Sequence, residues 1–144
     1  MNNKRKKYFS VVLLVISDIF CIELSFLFSY WLRFVSPFNT SFENLYPFPP
    51  IEPYIYSSFI IIPVWISFLN SKGLYSQQVK GLNIGDYFIP VVKSITMGMF
   101  VVLSVAFFYR SFSYSRAVFV IIYFSSITFI LFGRSLLSKY EKYR

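Results

Sequence analysis

Two carboxylates, Asp18 and Glu23, stand inside an apolar run that extends from Tyr8 to Trp31. Ionisable groups in such a setting are the first candidates for chemistry, because an unpaired charge in hydrocarbon is costly. Five residues apart on a helix is a rotation of ~140°, so the two do not face each other and would make a poor acid and base pair. Counted from a helix start near Tyr8, Asp18 lies ~15 Å and Glu23 ~22 Å along the helix, and each needs its own partner or a proton. Lys93, about two turns into the third apolar run, can reach towards Asp18, and Arg33, Arg110 or Arg116 can serve Glu23 from the opposite end. Structural pairing is the favoured reading of both carboxylates, with a proton or substrate path as the alternative. Other chemistry is scarce. With no histidine and one cysteine, the chain has no His-based metal site, no imidazole base and no internal disulfide framework.

The elements that must position these residues are apolar throughout. Of the 144 residues, 56% are hydrophobic and 14% charged, and the mean hydropathy is +0.59, which excludes an ordinary water-soluble domain. The fold class expected is an all-α membrane protein, a bundle of four transmembrane helices forming one domain over 1–144. The helices are placed at about 8–32, 54–74, 88–109 and 117–137, with an external loop over 33–53 and a cytoplasmic loop over 75–87. The first run is too long for a cleavable signal and closes on the anchor Tyr30-Trp31-Leu32-Arg33-Phe34. Prolines 47, 49, 50 and 53 argue against continuous helix before the second run, and Pro90 is expected in the first turn of the third, where its missing N–H does no harm.

A net charge of +8 taken alone suggests nucleic acid, but the basic residues fall at the ends of apolar runs, so no nucleic-acid partner is expected. Arg33, Arg110 and Arg116 fall on one side of a four-span layout, and the other lysines and arginines, from Lys4 to Arg144, on the other. By the positive-inside rule, both termini are expected in the cytoplasm. Ser25 and Ser29 in the first helix, and Ser94 and Gly98 in the third, are small residues four apart, read as sites of close helix packing. Gly81 and Gly85 do not form a phosphate-binding loop, because the required spacing and the preceding strand are lacking.

Asp18, then Ser29-Tyr30-Trp31-Leu32-Arg33-Phe34, then Lys72-Gly73-Leu74-Tyr75, then Tyr114-Ser115-Arg116 opening a last helix that ends with Arg134, together resemble the N-terminal membrane region of the bacterial polyprenyl-phosphate sugar-phosphate transferases. The resemblance runs over nearly the whole chain and rests on the order of short motifs. It implies a membrane-embedding domain in the bacterial inner membrane, non-catalytic by itself. The parent enzyme would transfer a sugar phosphate to undecaprenyl phosphate, starting O-antigen, capsule or exopolysaccharide repeat units. The catalytic carboxylates and the magnesium site of that family would lie beyond Arg144, so no catalytic or cofactor residue carries over. Asp18, Arg33, Phe34, Gly73, Leu74, Tyr75, Arg116 and Arg134 carry over as bundle residues. Simple physics gives Gly73 a left-handed helix end, Tyr75 an interface anchor and the arginines snorkelling positions at helix ends. The bilayer is the expected partner, with undecaprenyl phosphate implied by the resemblance and a homo-oligomer left open. The alternatives are the membrane anchor of a nucleotide-sugar dehydratase, which shares the Leu-Arg-Phe and Gly-Leu-Tyr elements, and a self-contained scaffold or lipid-linked sugar translocation protein.

Overall fold

A computed structural model describes residues 3–35, 50–76, 83–108 and 116–143. They form four helices: α1 (Asn3–Tyr30), α2 (Glu52–Ser71), α3 (Ile84–Phe108) and α4 (Arg116–Tyr143). All four are long and apolar enough to cross a membrane, so the expected all-α, four-helix class is the observed one. Most of the expected external loop, the middle of the cytoplasmic loop, Arg110 and Tyr114-Ser115 lie outside the described residues.

The helices run alternately up and down. α1 packs on α4 and α2, and α3 completes the ring against α2 and α4, the arrangement of an antiparallel four-helix bundle. Hydrocarbon surrounds such a bundle, so burying apolar surface gives little drive for association, and close backbone approach and buried hydroxyls take its place. The serines singled out by spacing do this here. Ser25 and Ser29 are fully buried and donate to the carbonyls of Cys21 and Ser25, one turn back. Ser29 also meets Ser125 of α4, with 3.4 Å between the hydroxyl oxygens. Further along the same seam, a Cβ placed on Gly133 would lie 2.9 Å from the Cys21 sulfur and 3.2 Å from the Ser17 hydroxyl, so the α4 backbone packs directly on these small α1 side chains. Gly98 of α3 has a similar role: the ring of the fully buried Trp65 occupies the space a Cβ would need. Ser94, one turn away, donates to the carbonyls of Pro90 and, across the interface, Phe68.

Helix ends differ from expectation in instructive ways. α1 does not stop near residue 32 but passes into a wide π turn over Trp31–Val35, which sets Tyr30 and Phe34 against Tyr54 with ring centroids 5.4 and 6.0 Å from that of Tyr54. α3 begins at Ile84 rather than near 88, because Asp86 and Asn83 cap the helix reciprocally: the Asp86 carboxylate accepts from the Asn83 N–H at 2.8 Å, and the Asp86 N–H donates to the Asn83 carbonyl at 3.0 Å. Pro90 is consequently the seventh residue of the helix rather than a member of its first turn. α4 runs on to Tyr143, six residues past the expected end.

α2 ends as its glycine suggests. Gly73 has φ = 73°, its N–H bonds the Asn70 carbonyl, and the Leu74 N–H bonds the Leu69 carbonyl. This paired pattern closes a helix with a left-handed residue. The accompanying apolar contact is present in kind, since Leu69 and Leu74 are both buried. The turn therefore sends the chain back under the bundle, and it decides where Leu74 and Tyr75 go.

Candidate functional site: a buried ion pair that joins three segments

Asp18 is fully buried and Arg134 is 4% exposed. The Arg134 fork donates to both carboxylate oxygens, Nη2 to Oδ2 at 2.5 Å and Nε to Oδ1 at 3.3 Å. The Tyr75 hydroxyl donates to Oδ2 at 2.8 Å, and the Arg134 guanidinium carbon lies 5.4 Å from the centre of the Tyr75 ring. The remaining guanidinium nitrogen, Nη1, donates to the Leu74 carbonyl at 3.4 Å. The site thus draws on α1, on the turn after α2 and on α4. In chain order the partners are 57 and 116 residues from Asp18.

Each member has a physical reason to be there. Helical side chains lean towards the N-terminus of their own helix. Asp18 therefore leans towards the end of the bundle where α1 begins, and Arg134, on an antiparallel helix, leans away from that end and into the membrane. The two meet. Only an arginine offers a planar fork that holds a carboxylate at two points while a third N–H reaches a carbonyl. Burial pushes the Tyr75 hydroxyl above its ordinary value of 10.0, and the Asp18 carboxylate beside it adds to the rise. Tyr75 is therefore a hydrogen-bond donor over the whole physiological range. Both charges are buried and neutralise each other, so the arrangement has the chemistry of a fastening between segments.

Several expectations need correction. Lys93 is not the partner of Asp18: it is exposed on α3, and the neighbours of α1 are α2 and α4. Arg134 does not snorkel at a helix end, because α4 continues nine residues beyond it and a buried carboxylate faces it. Tyr75 is not an interface anchor but is turned inward, 7% exposed. Glu23 is served neither by Arg33 nor by Arg116, and its buried Oε2 meets no hydrogen-bond partner among the described residues. Ten residues of helix put ~15 Å between Glu23 and Arg33, beyond the reach of an arginine side chain. Arg33 instead sits 6.0 Å from the ring centre of Phe34, and Arg116 opens α4 as an exposed residue. Gly73 holds the left-handed position expected of it.

Reading the sequence alone missed the pairing of Asp18 with Arg134, although both residues had been singled out. The signal was the apolar stretch of α4. It extends to Tyr140, so Arg134 stands ~9 Å inside the span, not at its edge. No protein-family model, no curated protein and no solved structure matches the chain. What the fold and the site define is a class: a four-helix membrane-spanning bundle fastened at one end by a buried ion pair.

Proposed function

We propose that the chain is the membrane-embedding N-terminal domain of a bacterial sugar transferase that starts polysaccharide repeat units on undecaprenyl phosphate. In this reading the bundle is non-catalytic, sits in the cytoplasmic membrane and keeps both termini in the cytoplasm. Magnesium and the reacting carboxylates belong to a catalytic domain outside these 144 residues. One observation carries the reading. Asp18, Leu74-Tyr75 and Arg134, drawn from three of the motif elements on which the resemblance rests, meet in one buried network, while Arg33, Phe34 and Arg116 lie outside it. Short motifs matched by chance have no reason to converge in space. A shared structural purpose gives them one: fixing α4 against α1 and the α2 turn, so that whatever α4 carries is held in a set orientation to the membrane.

The test uses the product of the complete reading frame, purified into vesicles with undecaprenyl phosphate, magnesium and a panel of UDP-sugars. Release of UMP that depends on the lipid phosphate is expected, and the 144-residue chain alone should release none. A dehydrated sugar nucleotide as product, or a reading frame that stops after Arg144, overturns the proposal. Topology is checked separately with reporter fusions at Asn44, Gln77 and Arg144. Asn44 should report outside and the other two inside, as the charge asymmetry requires, and a cytoplasmic signal at Asn44 would contradict this orientation.

A further inference from the structure

The half of the bundle remote from Asp18 and Arg134 contains a cavity of about 560 Å³ between α2 on one side and the ends of α3 and α4 on the other. Its wall on α2 runs from Glu52 to Val64; α3 contributes Val101 to Ala106 and α4 Val118 to Ile122. The volume lies within the ~300–1,000 Å³ of ordinary small-molecule pockets. The space exists because α3 presents short side chains there, valines and Ala106, where a leucine or phenylalanine would have filled it.

We propose that this cavity binds one hydrocarbon chain of a bilayer phospholipid, with a zwitterionic headgroup at its mouth. Three observations fix the occupant. First, the lining is apolar along its depth, and water does not fill such a space. Second, it lies within helices that span hydrocarbon, and Tyr56, Ile60 and Val105 at its rim are 69%, 72% and 59% exposed, so lipid chains have lateral access. Third, Glu52 to Val64 spans thirteen residues of helix, ~18 Å from first to last, close to the ~15 Å depth of one leaflet. An acyl chain standing in its own leaflet thus matches the wall from headgroup level to midplane.

The mouth selects the head. Glu52, the first residue of α2, lines the opening with a carboxylate. A head that carries an ammonium is complementary to the Glu52 carboxylate, whereas a purely anionic head meets it without compensation. The inference is independent of the function proposed above: it would hold for any bundle with this cavity.

The experiment reconstitutes the chain in vesicles of phosphatidylethanolamine and phosphatidylglycerol. One lipid at a time carries a photoreactive diazirine in its acyl chain, and labelled residues are mapped by mass spectrometry. Labelling by phosphatidylethanolamine should be several-fold stronger at Ile60 and Val101 than at Phe20, which is 62% exposed on the outer face of α1. Phosphatidylglycerol should label the cavity several-fold less. Ala106→Trp fills the space and should abolish the excess. Glu52→Lys changes only an exposed residue and should reverse the preference between the two lipids, which keeps the test decisive even if the tryptophan variant fails to fold. Equal labelling at Ile60, Val101 and Phe20 overturns the proposal, as does indifference to Glu52→Lys. Cross-links from the cavity to a second copy of the chain would overturn it too, assigning the groove to a dimer interface.

Discussion

Where Asp18, Tyr75 and Arg134 meet, three segments are held by charge-assisted hydrogen bonds between buried groups; at the opposite end, α2 stands apart from α3 and α4 around a cavity of about 560 Å³. α1 and α4 contribute to both ends, so the bulk composition of the spans does not set the difference. Side-chain choice at a few positions does. In a bilayer, apolar contact between helices competes with equally apolar contact to lipid, so a close junction requires small residues or satisfied polar groups. The Asp18 end has both, with Gly133 beside Cys21 and the ion pair one turn away. The cavity end has valines, which pack against a lipid chain as readily as against a helix.

The comparison can be broken most severely at the ion pair. Asp18→Leu leaves the Arg134 guanidinium buried without its carboxylate and should destabilise the bundle by about 3–5 kcal/mol. Asp18→Asn keeps a hydrogen-bond acceptor and should cost clearly less. Thermal unfolding of both variants in one detergent checks the order. Next in size is Gly98→Ala. The added Cβ collides with the Trp65 ring, and overpacking of this kind costs roughly 1–3 kcal/mol, only partly offset by the better helix propensity of alanine.

How much of this was legible in the sequence differs between the two ends. The four spans follow from hydropathy, and Gly73 announced its left-handed turn because few other residues end a helix that way. Ser25, Ser29, Ser94 and Gly98 announced close packing by spacing alone. The partner of Asp18 was not legible, because it depends on where α4 ends. Placing the end near residue 137 puts Arg134 in the interface, and the six further residues of helix place it beside a carboxylate. Of the partners expected for Glu23, Arg33 is too far away, ten residues along the same helix, Arg116 is exposed at the start of α4, and Arg110 lies outside the described residues. The cavity left no mark in the sequence at all: a valine that lines a groove and a valine that faces lipid are the same letter in the same pattern.

Smaller effects sharpen the contrast. Tyr75 holds its proton more tightly in the folded state than in the unfolded one. Its contribution is therefore fully present below pH 10 and is lost as pH rises through the higher folded value. Tyr75→Phe should lower stability by about 1–3 kcal/mol at neutral pH. The difference from the wild type should shrink above pH 10, as read from unfolding midpoints across a pH series. At the cavity rim, Ile60→Ala removes a side chain that faces lipid more than protein, and the change in stability should stay within about 0.5 kcal/mol. A large loss there would mean that the rim is packed against something other than lipid.

The most direct test of the buried pair as the fastening of the bundle is a double-mutant cycle. Asp18→Leu, Arg134→Leu and the combined variant are unfolded at equilibrium in the same detergent. Each single variant leaves one charge buried alone, whereas the combined variant leaves none, so the double loss should fall well short of the sum, by about 2 kcal/mol or more. Additive losses, or an Asp18→Leu variant as stable as the wild type, would contradict a structural pairing of the two residues.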